Sequence, residues 1–163
     1  MSYSLAVRIA EEAARLYEVK ALDDPNLKGK IYFNWGAAHA DNLKGDLNQA
    51  RVCYLSALHS FKSVNATDDV IRVNVRLGKV YLLQREYSAA EDIIHEVRSQ
   101  TSGERIAMQV DYLEAQLKCS TGDYSRAIQI AEMGLERAKK LGAKEDQRRL
   151  AELLQKTLSK KGV

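Results

Sequence analysis

The side chains able to carry chemistry are few and scattered. His39, His59 and His95 share no HxxxH or HExxH spacing, the pattern that sets two imidazoles on one helix face around a metal. Cys53 and Cys119 are far apart and fit no metal or redox spacing, so they read as small apolar packing residues. No Gly-rich phosphate loop occurs, and Gly103 and Gly142 are isolated turn residues. Asp46 and Asp123 recur at the same place in a repeated segment, which suits helix caps better than a catalytic carboxylate pair. An active site needs a nucleophile, a base or a metal cluster gathered at one point, and none is indicated. The expectation is a non-enzyme, with no catalytic residue, no metal and no cofactor.

Composition narrows the class further. Apolar residues make up 45% and charged residues 29% of 163, enough for one folded domain with a real core. The single proline, Pro25, leaves nearly the whole chain free to be helical. The net charge of +3 is too small to imply nucleic acid, although it is unevenly placed. From Glu136 to Val163 there are nine Lys/Arg against four Asp/Glu. Such a segment can touch RNA or an acidic membrane, but a mixed run of this kind is more often the solvated face of a capping helix. The start, Met1 to Lys20, carries Glu11, Glu12 and Glu18 and reads as neither a signal peptide nor a membrane span. A cytoplasmic protein with reduced cysteines is expected.

The elements that must position any site repeat along the chain. Gly45-Asp46 is followed by Ala50, Tyr54, Ala57 and Leu58. Arg85-Glu86-Tyr87 is followed by Ala90, Ile94 and Val97, and Gly122-Asp123-Tyr124 by Ala127, Ala131, Gly134 and Leu135. Ala50, Tyr54, Ala57, Leu58 and Phe61 fall on one face of a helix. Eight helices are expected, over about 2–21, 27–43, 47–64, 67–84, 87–100, 103–121, 124–141 and 145–160. Thr67 and Ser102 are expected as N-caps, Gly142 as a C-cap, and Asp46, Glu86 and Asp123 at helix starts. No stretch alternates long enough to suggest a sheet.

Leu77, Gly78, Tyr81, Ala90 and Ile94 resemble the tetratricopeptide pattern of Leu-Gly-x-x-Tyr followed by Ala and a large apolar residue. The resemblance covers three helix pairs, 31–64, 71–104 and 108–141, in a single domain. Residues 1–26 form an orphan first helix and 145–160 a capping helix. The fold it implies is all-α, a right-handed superhelical stack of antiparallel helix pairs. Spacings of 40 and 37 residues between the turns exceed the usual 34, and resemble the extended repeats of kinesin light chains, spindle-orientation adaptors and bacterial peptide-sensing regulators. Ala38, Gly78 and Ala115 form one small column and Ala50, Ala90 and Ala127 another, letting paired helices approach closely. Asp41 and Lys118 depart from the pattern, which wants Tyr there, and Glu114 departs where it wants Leu.

In tetratricopeptide folds the first helix of each pair lines a concave groove. Carried onto this register, the groove positions are Tyr32, Trp35, His39 and Asn42, then Arg72, Val75, Arg76 and Lys79, then Gln109, Tyr112 and Gln116. Arg72, Arg76 and Lys79 can hold carboxylates, the amides can bond a peptide backbone, and Trp35 and Tyr112 offer flat apolar surface. The implied partner is a protein or peptide, acidic or presenting its C-terminal segment. Against this, Trp35 can instead pack on the first helix, and the basic trio can be a solvated face. A second functional class is a structural or self-association module, possessing a homo-oligomer contact through the end helices.

Overall fold

A computed structural model describes residues 3–42, 45–100 and 103–162. Among the described residues there are eight helices and no strand. They are α1 (Tyr3–Val19), α2 (Pro25–Ala40), α3 (Leu47–Ser63), α4 (Thr67–Leu83), α5 (Tyr87–Gln100), α6 (Glu104–Ser120), α7 (Tyr124–Lys140) and α8 (Lys144–Lys161). Among the described residues no helix is long and apolar enough to cross a membrane. The helices fall into two compact units, 1–84 with α1 to α4 and 85–163 with α5 to α8. The boundary lies at the Gln84-Arg85 turn, inside the segment 71–104 expected to be one repeat.

Local chemistry explains where the helices start. Asp24 accepts from the Leu27 N–H (3.0 Å), with Pro25 at the first helical position, where its missing N–H costs nothing. Asp46 accepts from the N–H groups of Asn48 (2.8 Å) and Gln49 (3.1 Å), and Asp123 from that of Arg126 (3.1 Å). The two expected aspartate caps are therefore in place. Thr67 is not a cap: Ala66 takes that position and Thr67 is the first residue of α4, whose start is instead favoured by Asp68 and Asp69 in its first turn. Ser102 lies outside the described residues. Gly142, just past α7, has φ +63°, the left-handed conformation that suits glycine at this point.

In unit 1, α2 lies so close to α3 that side chains are excluded at two places. A Cβ on Gly29 would come within 2.6 Å of the Phe61 ring, and one on Gly36 within 2.8 Å of the Tyr54 ring. Phe61 and Tyr54 fill that space and are buried, with Ala50, Cys53 and Ala57 beside them. The α1 helix covers α2 with Ala10, Ala14 and Tyr17, and the Tyr17 hydroxyl accepts from the Asp24 N–H (3.1 Å). In unit 2, Gly134 gives α7 its closest approach to α6, with Asp111 and Leu150 3.0 Å from where its Cβ would stand. Ala115, Ile130, Ala131 and Leu153 form one core cluster there, and Met108, Ala138 and Leu150 another. The small residues Ala50, Ala90, Ala115 and Ala127 are all fully buried.

Gly36→Leu is expected to destabilise the protein by about 1–3 kcal/mol through overpacking against Tyr54. A urea midpoint at the wild-type value would show that the α2–α3 contact is loose.

Candidate functional site

The residues expected to line a groove are shared between the units. Those on α2 and α4 belong to unit 1, and Gln109, Tyr112 and Gln116 on α6 belong to unit 2.

In unit 1, Arg76 and Lys79 converge on one carboxylate. Arg76 Nη1 donates to both Asp41 oxygens (3.2 and 3.3 Å), and Lys79 Nζ donates to Asp41 Oδ1 (3.3 Å). Asp41 caps the C-terminal end of α2, while both cations lie one turn apart on α4, at i and i+3. The side chains are 40% and 44% exposed, so solvent reaches this cluster. Two cations share one anion, which leaves a surplus of one positive charge. Arg72 is engaged elsewhere: it pairs with Asp69 on its own helix and its guanidinium lies over the Phe33 ring, 5.8 Å from the centroid. Val75, on the same helix, is half-buried.

The aromatic residues of α2 form a second feature. Tyr32 and Trp35 stack at 5.8 Å between centroids with a 45° tilt, and Lys28 Nζ sits 5.9 Å from the Tyr32 ring. Both rings are half-buried, and the Trp35 indole nitrogen is enclosed without a hydrogen-bond partner. Trp35 therefore serves packing and surface together. Tyr54, under α2, is fully buried with its hydroxyl unpartnered. Burial pushes its phenol well above the ordinary value, and the charges of Arg76 and Asp41 both act on it. Leaving such a hydroxyl unpaired costs about 1–3 kcal/mol, a local cost carried beside the charged cluster.

His39 is buried in the last turn of α2. Its Nδ1 accepts from the Asp46 N–H at 3.4 Å, and burial lowers its pKa against the pull of Asp46 and Glu11. A Cβ on Gly45 would overlap the His39 carbonyl oxygen, so the α2–α3 turn requires glycine. Asn42, half-buried, follows Asp41 at the same turn.

In unit 2 the strongest electrostatic feature is one the sequence did not disclose. Asp111, 0% exposed, accepts from Arg98 Nη2 (2.8 Å) and from Arg137 Nη1. Arg98 Nε also donates to Glu114 (2.7 Å), and Arg137 Nε to Glu104 (3.1 Å). One buried carboxylate thus ties α5, α6 and α7 together. Burial works against the Arg98 charge, but its bonds to Asp111 and Glu114 more than offset this and raise its pKa. The only available sequence signal was an aspartate on the face shared by Met108 and Ala115. Tyr112 is half-buried and packs on both core clusters of unit 2, and burial raises its pKa. Gln109 is exposed and Gln116 half-buried. No group of three or more His, Cys, Asp or Glu suited to a metal occurs among the described residues.

The chain matches no protein-family model, and no curated protein matches it.

The two carboxylate clusters differ in burial, and so in what they are worth. Asp111→Asn should cost about 3 kcal/mol in a urea titration, at the low end for a broken buried pair because both arginines keep contact with water. Asp41→Asn, which removes the exposed carboxylate between Arg76 and Lys79, should cost less than about 1 kcal/mol. Equal costs would contradict a structural role for Asp111.

Proposed function

We propose that the chain is a non-catalytic recognition module that binds acidic protein segments, and that unit 1 holds the carboxylate-binding site. The observation that carries this reading is the half-exposed pair Arg76 and Lys79 on the single carboxylate of Asp41. One positive charge is left over, at a place open to solvent. Arg76 uses one guanidinium nitrogen for Asp41, which leaves a second edge of the planar group to meet a ligand carboxylate. The long donor distances suit a contact that an incoming carboxylate can rearrange.

The Tyr32–Trp35 stack supports the same reading. It supplies a rigid apolar surface on the helix that also provides Asp41. The repeated turns and buried small residues support reading the α2–α3 hairpin and the α6–α7 hairpin, each within its own unit, as helix pairs of the tetratricopeptide type.

Binding is expected to be weak for any single contact and to depend on salt, because exposed charges are screened over about 8–10 Å at physiological ionic strength. A pool of fluorescein-labelled hexapeptides rich in Asp and Glu should bind the wild type, while a Lys-rich pool should not. Arg76→Glu should weaken the acidic pool about tenfold, or about 1.4 kcal/mol, without lowering the melting temperature appreciably. Equal binding of both pools, or indifference to Arg76→Glu in fluorescence anisotropy, would refute the reading.

A further inference from the structure

The outer face of α1 carries an uncovered apolar stripe among charged residues. Leu5, Ile9 and Leu16 lie along it at helical spacing, and Ile9 is 53% exposed. The stripe continues into a groove of ≈ 400 Å³ between α1 and α2, walled by Ala6, Ile9, Ala10 and Ala13 on one side and by Ile31 and Ala38 on the other. The alanines leave room that a large side chain can fill. Scattered exposed apolar residues are ordinary on a protein surface, but a continuous stripe opening into a groove marks an interface.

Charge decides what covers it. The stripe is flanked by Arg8 and Glu11 and by Glu12 and Arg15, two of each sign, with Arg15 donating to Glu12 within the helix (2.9 Å) and leaving carboxylate lone pairs to a partner. A face with no net charge offers no attraction to an acidic or a basic partner. It is, however, complementary to itself when two helices run antiparallel. We propose that α1 pairs with α1 of a second copy of this chain about a two-fold axis near its middle. In that register Leu5 meets Leu16 of the other copy and Ile9 lies against Glu12 and Ala13. Arg8 faces Glu12, and by symmetry Glu12 faces Arg8, so each contact is made twice. A parallel pairing would set like charges side by side. The helix is roughly 25 Å long, so the contact is small and the dimer forms only at micromolar concentrations or above. The pairing uses neither Arg76 nor Lys79, so it stands apart from the carboxylate site.

Sedimentation velocity over a concentration series tests this directly. The wild-type mass should rise with concentration from 18.3 kDa toward twice that value. Ile9→Glu, at an exposed position, should keep its helical circular dichroism and melting temperature while association weakens at least tenfold. Arg8→Glu and Glu12→Arg should each be monomeric alone, because each places like charges opposite one another twice. Their equimolar mixture should dimerise, since both cross-contacts then join opposite charges. A wild type that stays at 18.3 kDa at the highest concentration would overturn the proposal. So would an Ile9→Glu dimer of wild-type strength, or a charge-reversed mixture that stays monomeric while the wild type dimerises. If Ile9→Glu fails to fold, the charge-reversed mixture decides alone.

Discussion

Asp41 holds two cations of another helix, and that single arrangement sets the character of unit 1. It joins the end of α2 to the middle of α4 and fixes Arg76 and Lys79 side by side. Arg76 and Lys79 together still exceed that carboxylate by one positive charge. Exposure keeps the arrangement exchangeable, because an ion pair in contact with water is worth only about 0–1 kcal/mol.

Asp111 shows the same chemistry under burial. It too lies between two cations, Arg98 and Arg137, but it has no contact with water. There the attraction cannot be traded for hydration, and removing one partner strands the other. The pair of clusters makes one physical point. A carboxylate between two cations is a brace when buried and an exchangeable contact when exposed. Both depend on helix contacts set by small residues. Gly36 against Tyr54 and Gly134 against Asp111 and Leu150 fix spacings that a single added methyl would disturb.

Much of the helical framework was legible in the sequence, because its signals are local. The stripe from Ala50 to Phe61 and the caps at Asp46 and Asp123 depend on residues within a turn or two of each other. What depends on distant residues was not legible. Thr67 has the chemistry of a cap, yet it is already the first residue of α4 and Ala66 stands at the cap position. Gly29 and Gly36 carry no sign of the rings they face, and His39 gives none of its burial at the end of α2. The departures from the repeat pattern are the instructive case. Asp41, Glu114 and Lys118 each replace an apolar or aromatic residue, and each forms an ion pair to a neighbouring helix: Asp41 to Arg76, Glu114 to Arg98 and Lys118 to Glu91. The sequence marked these positions as exceptions but could not supply their partners, which lie 16 to 35 residues away.

The most direct measurement is the affinity of Asp41→Asn for the acidic peptide pool. Asparagine keeps the size of the side chain and removes the charge that competes for Arg76 and Lys79. If those cations receive a ligand carboxylate, the surplus charge rises by one and binding should tighten about threefold to tenfold, up to about 1.4 kcal/mol, with a steeper loss on adding salt. Affinity that is unchanged or weaker, in a variant that melts like the wild type, would contradict the assignment of the site.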